Sequence, residues 1–348
     1  MTAPHICSHP DYPALASVSF EKLAAAIHAG GTDARLVEGA GTAVPARVYG
    51  MTVDSREVKP GNLFVCKGAA FKPAFLASAR DHGAAAYLCS DTPELLAQLE
   101  AVAPGMPHIA TPDVRRAMAL VAPAVYHHPE RALDIVGITG TKGKSTVAYM
   151  LRSILTAAGD TPSILGSIDT DDGVEQYESH NTTPEAPELW RHLRNTVDAG
   201  RRHMIMEVSS QGLKYDRVLG VPLSIGVFLN IGRDHISSVE HPTFEDYFAS
   251  KLRIFEQCET AVVNLETEHA DEVLTAAAHA SRLVTLSTKD NPTATFVAQN
   301  ARSTGLSLTF DVIDRIDAHA PVTHQITLGM AGLFNVSNAL AAIACARL

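Results

Sequence analysis

No stretch of this 348-residue chain is apolar over the length a helix needs to cross a bilayer, which removes a membrane-embedded protein from consideration. There is no basic excess: Lys+Arg 28 against Asp+Glu 38 leaves a net charge of −10. A general nucleic-acid binder needs a basic face, so nucleic acid is excluded as a partner, whereas a local basic pocket for a small anion is not. The five cysteines, Cys7, Cys66, Cys89, Cys258 and Cys345, are odd in number, widely spaced and form no C-x-x-C pair. Neither a disulfide framework nor a structural zinc site is expected, and a reducing cytoplasm fits. The opening residues hold Pro4, Pro10 and Pro13, with no early basic cluster and no continuous apolar core, so no signal peptide is read there. Residues 1–19 read as a flexible leader. Internal repeats and low-complexity tracts are absent. A base-specifying Asn-Lys-x-Asp is missing too, and Lys289-Asp290-Asn291 does not supply it, which argues against a GTPase-like switch.

What is present is ordinary globular composition, 46% hydrophobic and 19% charged. The length exceeds what one core usually supports, so two domains are expected. After a first helix near Phe20 to Ala29, the segment from Arg47 to His127 reads as short strand, loop, helix. Leu63 to Cys66, Ala84 to Leu88 and His108 to Ala110 read as strands and Ala74 to His82 as a helix. Thr111-Pro112 reads as a helix N-cap followed by proline at the first position, the helix running to His127. His128-Pro129-Glu130-Arg131 breaks the pattern, giving expected domains at 20–130 and 131–348. Beyond it, apolar runs at Ile135–Ile138, Ile164–Leu165, Met204–Val208, Ile225–Ile231, Ala261–Leu265 and Leu283–Leu286 alternate with helical stretches at Ser145–Ala158, Glu188–Ala199, Phe244–Cys258 and Glu268–Ala280. That alternation predicts an α/β fold: a mainly parallel sheet with helices on both faces. Phe296–Ala298 and Leu306–Ile313 flank a turn and predict an antiparallel hairpin, and Asn335–Leu348 a final helix.

Gly137 to Thr146 carries Gly140-x-x-Gly143-Lys144-Ser145, with Gly137 one residue further upstream than G-x-x-x-x-G-K-[ST] would place it, between an apolar strand and a helix, the setting a phosphate loop requires. Its backbone amides, including those of Gly140, Thr141, Gly143 and Thr146, would surround phosphate oxygens at a helix N-terminus. Lys144 would reach the β- and γ-phosphates, Ser145 would offer its hydroxyl to Mg²⁺, and Lys142 adds a second cation. This motif alone states nucleotide binding and no reaction. Glu207 ends a strand where ligands sit in open α/β sheets, and a Mg²⁺ role competes with a solvated strand-end acid. His235, after a strand and beside Asp234, is a candidate metal ligand with Asp234 orienting it. Lys251, on a helix, would ordinarily be solvated. His180 to Pro184 reads as a polar N-cap turn before a helix, with Pro184 near the helix start.

In their order, these pieces resemble the Mur ligase superfamily, most closely its UDP-N-acetylmuramoyl-dipeptide ligase (MurE) branch, over nearly the whole chain after the leader. Asp54-Ser55-Arg56 followed by Pro60-Gly61 and Leu63-Phe64-Val65 resembles its UDP-binding N-terminal domain, with Ser55 and Arg56 as substrate contacts. Thr139 to Ser145 resembles its ATP loop. Asn181-Thr182-Thr183-Pro184 resembles the loop touching the muramoyl-peptide. Glu207 to Leu213 with Arg217 resembles the segment that joins a magnesium glutamate to substrate contacts at Ser209, Tyr215 and Arg217. Asn230 to His235 resembles its N-x-x-x-D-H. Lys251 stands where the superfamily carries a lysine carbamylated by CO₂. Gly332, Asn335 and Asn338 to Ala342 resemble a helix whose first asparagine contacts the nucleotide. Lys142 and Ser145 replace the usual Asn and Thr, and Gly68 to Pro73 replaces a G-x-x-x-D-G-H stretch.

The resemblance implies a UDP-substrate domain plus a central ATPase domain, with the third, Rossmann-like C-terminal domain absent from this chain and full turnover needing it. It implies a cytoplasmic, monomeric, ATP-dependent amide ligase of peptidoglycan synthesis. Such an enzyme adds L-lysine or meso-diaminopimelate to UDP-MurNAc-L-Ala-D-Glu through an acyl phosphate. Ser145 and Glu207 would serve one Mg²⁺, and His235 with carbamylated Lys251 a second. Other amide ligases of the superfamily, folylpolyglutamate or cyanophycin synthetase-like, are the nearest alternative, against which the D-S-R-x-x-x-P-G segment argues. A non-catalytic nucleotide-binding module is the other.

Overall fold

The computed structural model describes residues 17–39, 47–234, 236–237 and 240–348. Most of the expected leader, with Cys7, lies outside the described residues. Its end does not behave as a leader: Val18–Ser19 form strand β1, paired antiparallel with β3 (Arg47–Val48). The chain divides into two compact units between His128 and Pro129.

In the first unit, helix α1 (Phe20–Ala29) buries Phe20, Leu23, Ala24 and Ile27, the i, i+3, i+4, i+7 stripe of an amphipathic helix, and packs on α4 (Val114–Val125). The sheet runs β2 (Arg35–Val37), β7 (His108–Thr111), β6 (Ala86–Ser90), β5 (Leu63–Val65), β4 (Met51–Thr52) across. It is parallel except for β2. Helices α2 (Pro73–Asp81) and α3 (Pro93–Val102) complete the unit. The expected start of α4 is corrected. Thr111 is the last residue of β7, and Asp113 caps the helix by accepting a hydrogen bond from the Arg116 amide at 3.0 Å. A carboxylate accepts from N3 at least as well as a threonine hydroxyl, and Thr111 is held by its ladder with Ser90.

The second unit opens with β8 (Asp134–Thr139) and α5 (Lys144–Ala157). Then come β9 (Ser163–Leu165), β10 (Asp169–Asp171), β11 (Gln176–Glu178), α6 (Ala186–Asp198), β12 (His203–Glu207) and the short α7 (Ser210–Lys214). β13 (Leu223–Phe228), α8 (Phe244–Leu252), β14 (Cys258–Asn264), α9 (Ala270–Ala277) and β15 (Arg282–Ser287) follow. The chain continues through β16 (Phe296–Thr304), β17 (Ser307–Asp314), β18 (Val322–Leu328) and α10 (Phe334–Arg347). One sheet takes all these strands in the order β11-β10-β9-β12-β8-β13-β14-β15-β16-β17-β18. From β9 to β16 every neighbour is parallel, and the antiparallel members lie at the two edges. The expected hairpin is β16–β17. Alternate residues Val136, Ile138, Ile205, Val227, Val262 and Val284 share one core with α5 and α10. Ile135, Met204, Met206 and Val263, the intervening positions, are also buried, and α6 packs on β12 and α9 on β14.

The helix expected over Phe244–Cys258 is shorter. It stops at Leu252, passes through a 3₁₀ turn at Arg253–Gln257 that buries Ile254 and Phe255, and Cys258 already pairs with Leu223 in the sheet. Sheet pairing overrides local helix preference there. Pro187, not Pro184, occupies the first turn of α6. The strand registers Glu207↔Ile138 and Phe228↔Thr139 bring the carboxyl ends of β12, β8 and β13 level, so the loops that follow them emerge along one sheet edge.

Candidate functional site

The phosphate loop links β8 to α5. Gly143, its last residue, has φ +91°, and a Cβ there would lie 2.5 Å from Asn338 Oδ1 on α10. Glycine is therefore required both by the left-handed backbone and by the approach of α10. Asn230, after β13, braces the loop from the side. Its carbonyl accepts from the Thr141 amide (3.0 Å), its Oδ1 from the Lys142 amide (2.9 Å), and its Nδ2 donates to the Lys142 carbonyl (3.0 Å). Ser145 and Thr146 occupy the first turn of α5, half-buried.

Two lysines from distant parts of the chain converge on one carbonyl. Lys144 Nζ donates to Gly140 O at 2.9 Å and Lys251 Nζ to the same oxygen at 3.0 Å. Lys251 is 2% exposed, and its ammonium lies 4.9 Å from the Tyr247 ring centroid. Burial, and then the neighbouring Lys144 charge, push the Lys251 amine well below its ordinary value. Burial lowers Lys144 as well, with Glu207 opposing. Lys142, exposed, pairs with Asp234 at 2.8 Å. Two cations brought together out of solvent, Lys144 and Lys251, favour an anion beside them. His235 lies outside the described residues. Asp234, expected to orient it, holds Lys142.

Glu207 is 1% exposed at the end of β12. Its Oε1 accepts from the Ser167 amide (2.9 Å) and its Oε2 from the Ser167 hydroxyl (3.1 Å). That is no solvated strand-end acid. Gly166 leaves room for it, since a Cβ there would meet Glu207 Oε1 at 2.4 Å. The Asn181–Thr183 loop sits beside it. Thr182 Oγ1 and Ser167 Oγ are 2.9 Å apart, and Thr183 Oγ1 donates to Glu207 O (3.0 Å) and accepts from the Ser209 amide (2.9 Å). Arg217 donates to Thr183 O at 2.9 Å and pairs with Glu185 at 3.2 Å. Ser209 caps α7 by accepting from the Gly212 amide, and Tyr215 closes that helix. Asn335 is buried; its Nδ2 donates to Ala331 O, and its Oδ1 accepts from Asn338, which borders Gly143.

Ser55 and Arg56 belong to the first unit, in the turn after β4. Arg56 is exposed and paired with Asp54, whose carboxyl the Arg56 hydrogen bond holds below its ordinary value. Ser167 and Tyr247 are contacts that motif reading missed. Ser167 carries no spacing signal. Tyr247 stands four residues before Lys251 on α8, which places both on one helix face. Asp172, Glu175 and His192 bring ligand atoms within 4.8 Å of one another. The oxygens of Asp172 are taken by the Val174 and Glu175 amides, His192 and Asn195, so the group is an ion-paired clamp between the β10–β11 turn and α6.

Residues 138–346 match the family described as Mur ligase middle domain. A UDP-N-acetylmuramyl-tripeptide synthetase of Lactobacillus delbrueckii subsp. bulgaricus is 37% identical over 318 residues, covering 84% of this chain and 58% of the relative. A UDP-N-acetylmuramoyl-L-alanyl-D-glutamate–L-lysine ligase of Streptococcus suis is 35% identical over 300 residues, 86% of this chain and 57% of its own length. Among solved structures, a UDP-N-acetylmuramoyl-L-alanyl-D-glutamate–2,6-diaminopimelate ligase superposes with a TM-score of 0.74 at 24% identity, covering 95% of this chain and 63% of that one. The chain thus spans somewhat over half the length of the curated relatives it matches.

Proposed function

The chain belongs to the Mur ligase family, and on that premise we propose that it acts in the ATP-dependent addition of the third amino acid to UDP-MurNAc-L-Ala-D-Glu in the cytoplasm. The incoming residue is L-lysine or meso-diaminopimelate, and the protein works as a monomer. The observation that carries this reading is the convergence of Lys144 and Lys251 on Gly140 O beside the phosphate loop, next to the strand that ends in buried Glu207.

The physical demand is to bring a carboxylate against a triphosphate. Lys144 and the loop amides offset the phosphate charge, and the Thr183–Ser209–Arg217 group holds the peptide end next to Glu207. Buried Glu207, the Ser145 hydroxyl, the His235 imidazole and a carbamate on Lys251 suit Mg²⁺, which takes hard oxygen donors and tolerates imidazole. When bound, two Mg²⁺ ions would supply further charge neutralisation between the anions. The depressed Lys251 amine supports the carbamate, because only a neutral amine adds CO₂. Nζ bonds to the carbon and releases a proton. The substrate carboxylate accepts the γ-phosphoryl group of ATP, and the amine of the incoming amino acid then displaces phosphate as the amide forms. Asn335 contacts the nucleotide, and the first unit, with Ser55 and Arg56, holds the UDP moiety.

Titration calorimetry and phosphate release test this. Binding of both Mg²⁺–ATP and UDP-MurNAc-dipeptide is expected. Lys251→Ala should keep dipeptide binding and lower dipeptide-dependent phosphoryl transfer by about 100-fold. A chain that binds Mg²⁺–ATP but no UDP-MurNAc-peptide sinks the assignment.

A further inference from the structure

Thr141 Oγ1 is a meeting point of three elements. It belongs to the phosphate loop, accepts from the Gly232 amide of the loop after β13 at 3.0 Å, and lies 3.0 Å from the Tyr247 hydroxyl of α8. Tyr247 has no exposed surface. Its ring also backs the Lys251 amine at 4.9 Å, and the edge of His241 meets it at 5.2 Å and 66°. A buried phenol needs a partner for its hydroxyl, and one partner of this hydroxyl is a side chain of the loop between β8 and α5. One side chain therefore touches the phosphate loop with its tip and Lys251 with its face.

We propose that Tyr247 is a positioning residue that sets the spacing between the phosphate loop and Lys251 through its hydroxyl bond to Thr141 and its ring contact with the lysine. Its kinetic consequence rests on the ligase reading above; its binding consequence does not. Gly140 O, held by Lys251, and Thr141 Oγ1, held by Tyr247, are successive anchor points from the same helix. Loss of the second would let the loop shift against the first. An error of that kind weakens phosphate binding and slows transfer more than it destabilises the fold.

The test is a double-mutant cycle of Tyr247→Phe and Thr141→Val, with Thr141→Ser as the variant that keeps the hydroxyl. Mg²⁺–ATP affinity is read by calorimetry, dipeptide-dependent phosphate release by kcat and KM, and folding by thermal midpoint. Tyr247→Phe should keep the midpoint within about 2 °C, weaken Mg²⁺–ATP binding by about fivefold and lower kcat by about tenfold. Thr141→Val, which also strips the Gly232 amide of its acceptor, should lose at least as much, the double variant should fall no further than Thr141→Val, and Thr141→Ser should recover most of that loss. The proposal is overturned if Tyr247→Phe binds ATP like the parent, or if the two single effects multiply in the double variant. If the parent binds Mg²⁺–ATP but no UDP-MurNAc-dipeptide, the ligase reading fails, and the affinity cycle alone still decides the role of Tyr247.

Discussion

At the scale of single residues, the chemistry depends on atoms held where solvent would ordinarily take them. An exposed lysine in place of Lys251 would be an unremarkable cation. Buried against Gly140 O and beside Lys144, it becomes an amine that loses its proton more readily. Gly143 shows the same dependence on surroundings. Its positive φ places a substituted side chain in the left-handed region, at about 1–2 kcal/mol, before the 2.5 Å approach to Asn338 Oδ1 is added. Gly143→Ala should therefore lower the thermal midpoint and remove measurable Mg²⁺–ATP binding. A variant that binds ATP normally would show that the loop tolerates a different backbone. The loop between β8 and α5, with Gly143 at its end, was legible because its residues are contiguous. Glu207 was legible as a strand-end acid, but the Ser167 bonds that hold it were not, since nothing in spacing links positions so far apart.

At the scale of elements, hydrophobic alternation identified the parallel strands, and their ends moved by no more than three residues. It failed where tertiary contacts outweighed local preference. Asp113 rather than Thr111 caps α4, and α8 yields to a 3₁₀ turn so that Cys258 can enter the sheet. The β10–β11 hairpin and the exposed edge strand β18 carry too little apolar pattern to be read. The hairpin is fastened to α6 by a buried pair, His192 Nδ1 to Asp172 Oδ2 at 2.6 Å. Burial opposes the charge on Asp172, but its bonds from His192 and the Glu175 amide outweigh that and hold the carboxyl below 3.8. Burial opposes the charge on His192 too, and Asp172 with Glu188 lifts it above 6.5. Asp172 thus contributes stability that is complete above its unfolded value and lost as pH falls through the lowered one. His192 contributes stability that is complete below its unfolded value and lost as pH rises through the raised one. The thermal midpoint should accordingly fall as pH rises above about 6.5, and His192→Gln should flatten that slope. Parallel curves for parent and variant would remove the clamp from the account.

At the scale of the whole molecule, each unit has a core of its own. Phe64, Leu76, Tyr87 and Leu99 belong to one, and Ile138, Val227, Phe296 and Leu340 to the other. Residues 129–348, which contain every described contact of the phosphate loop reported above, should fold when expressed alone and bind Mg²⁺–ATP within about threefold of the parent, while losing UDP-MurNAc-dipeptide. A fragment that folds but binds ATP more than about tenfold worse would place part of the phosphate site in the first unit. By itself the sequence determined the α/β class, the glycine-rich strand–loop–helix segment around Gly140 and Gly143, the absence of a spanning apolar run and the family resemblance, because each is written in contiguous residues or in short periodicities. Only the tertiary structure decided that Lys144 and Lys251 share one carbonyl, that Ser167 and Thr183 enclose Glu207, and that Tyr247 reaches Thr141. Those meetings depend on the register of β8, β12 and β13 and on the packing of α8, and no local pattern in a chain encodes which distant residues a register will bring level.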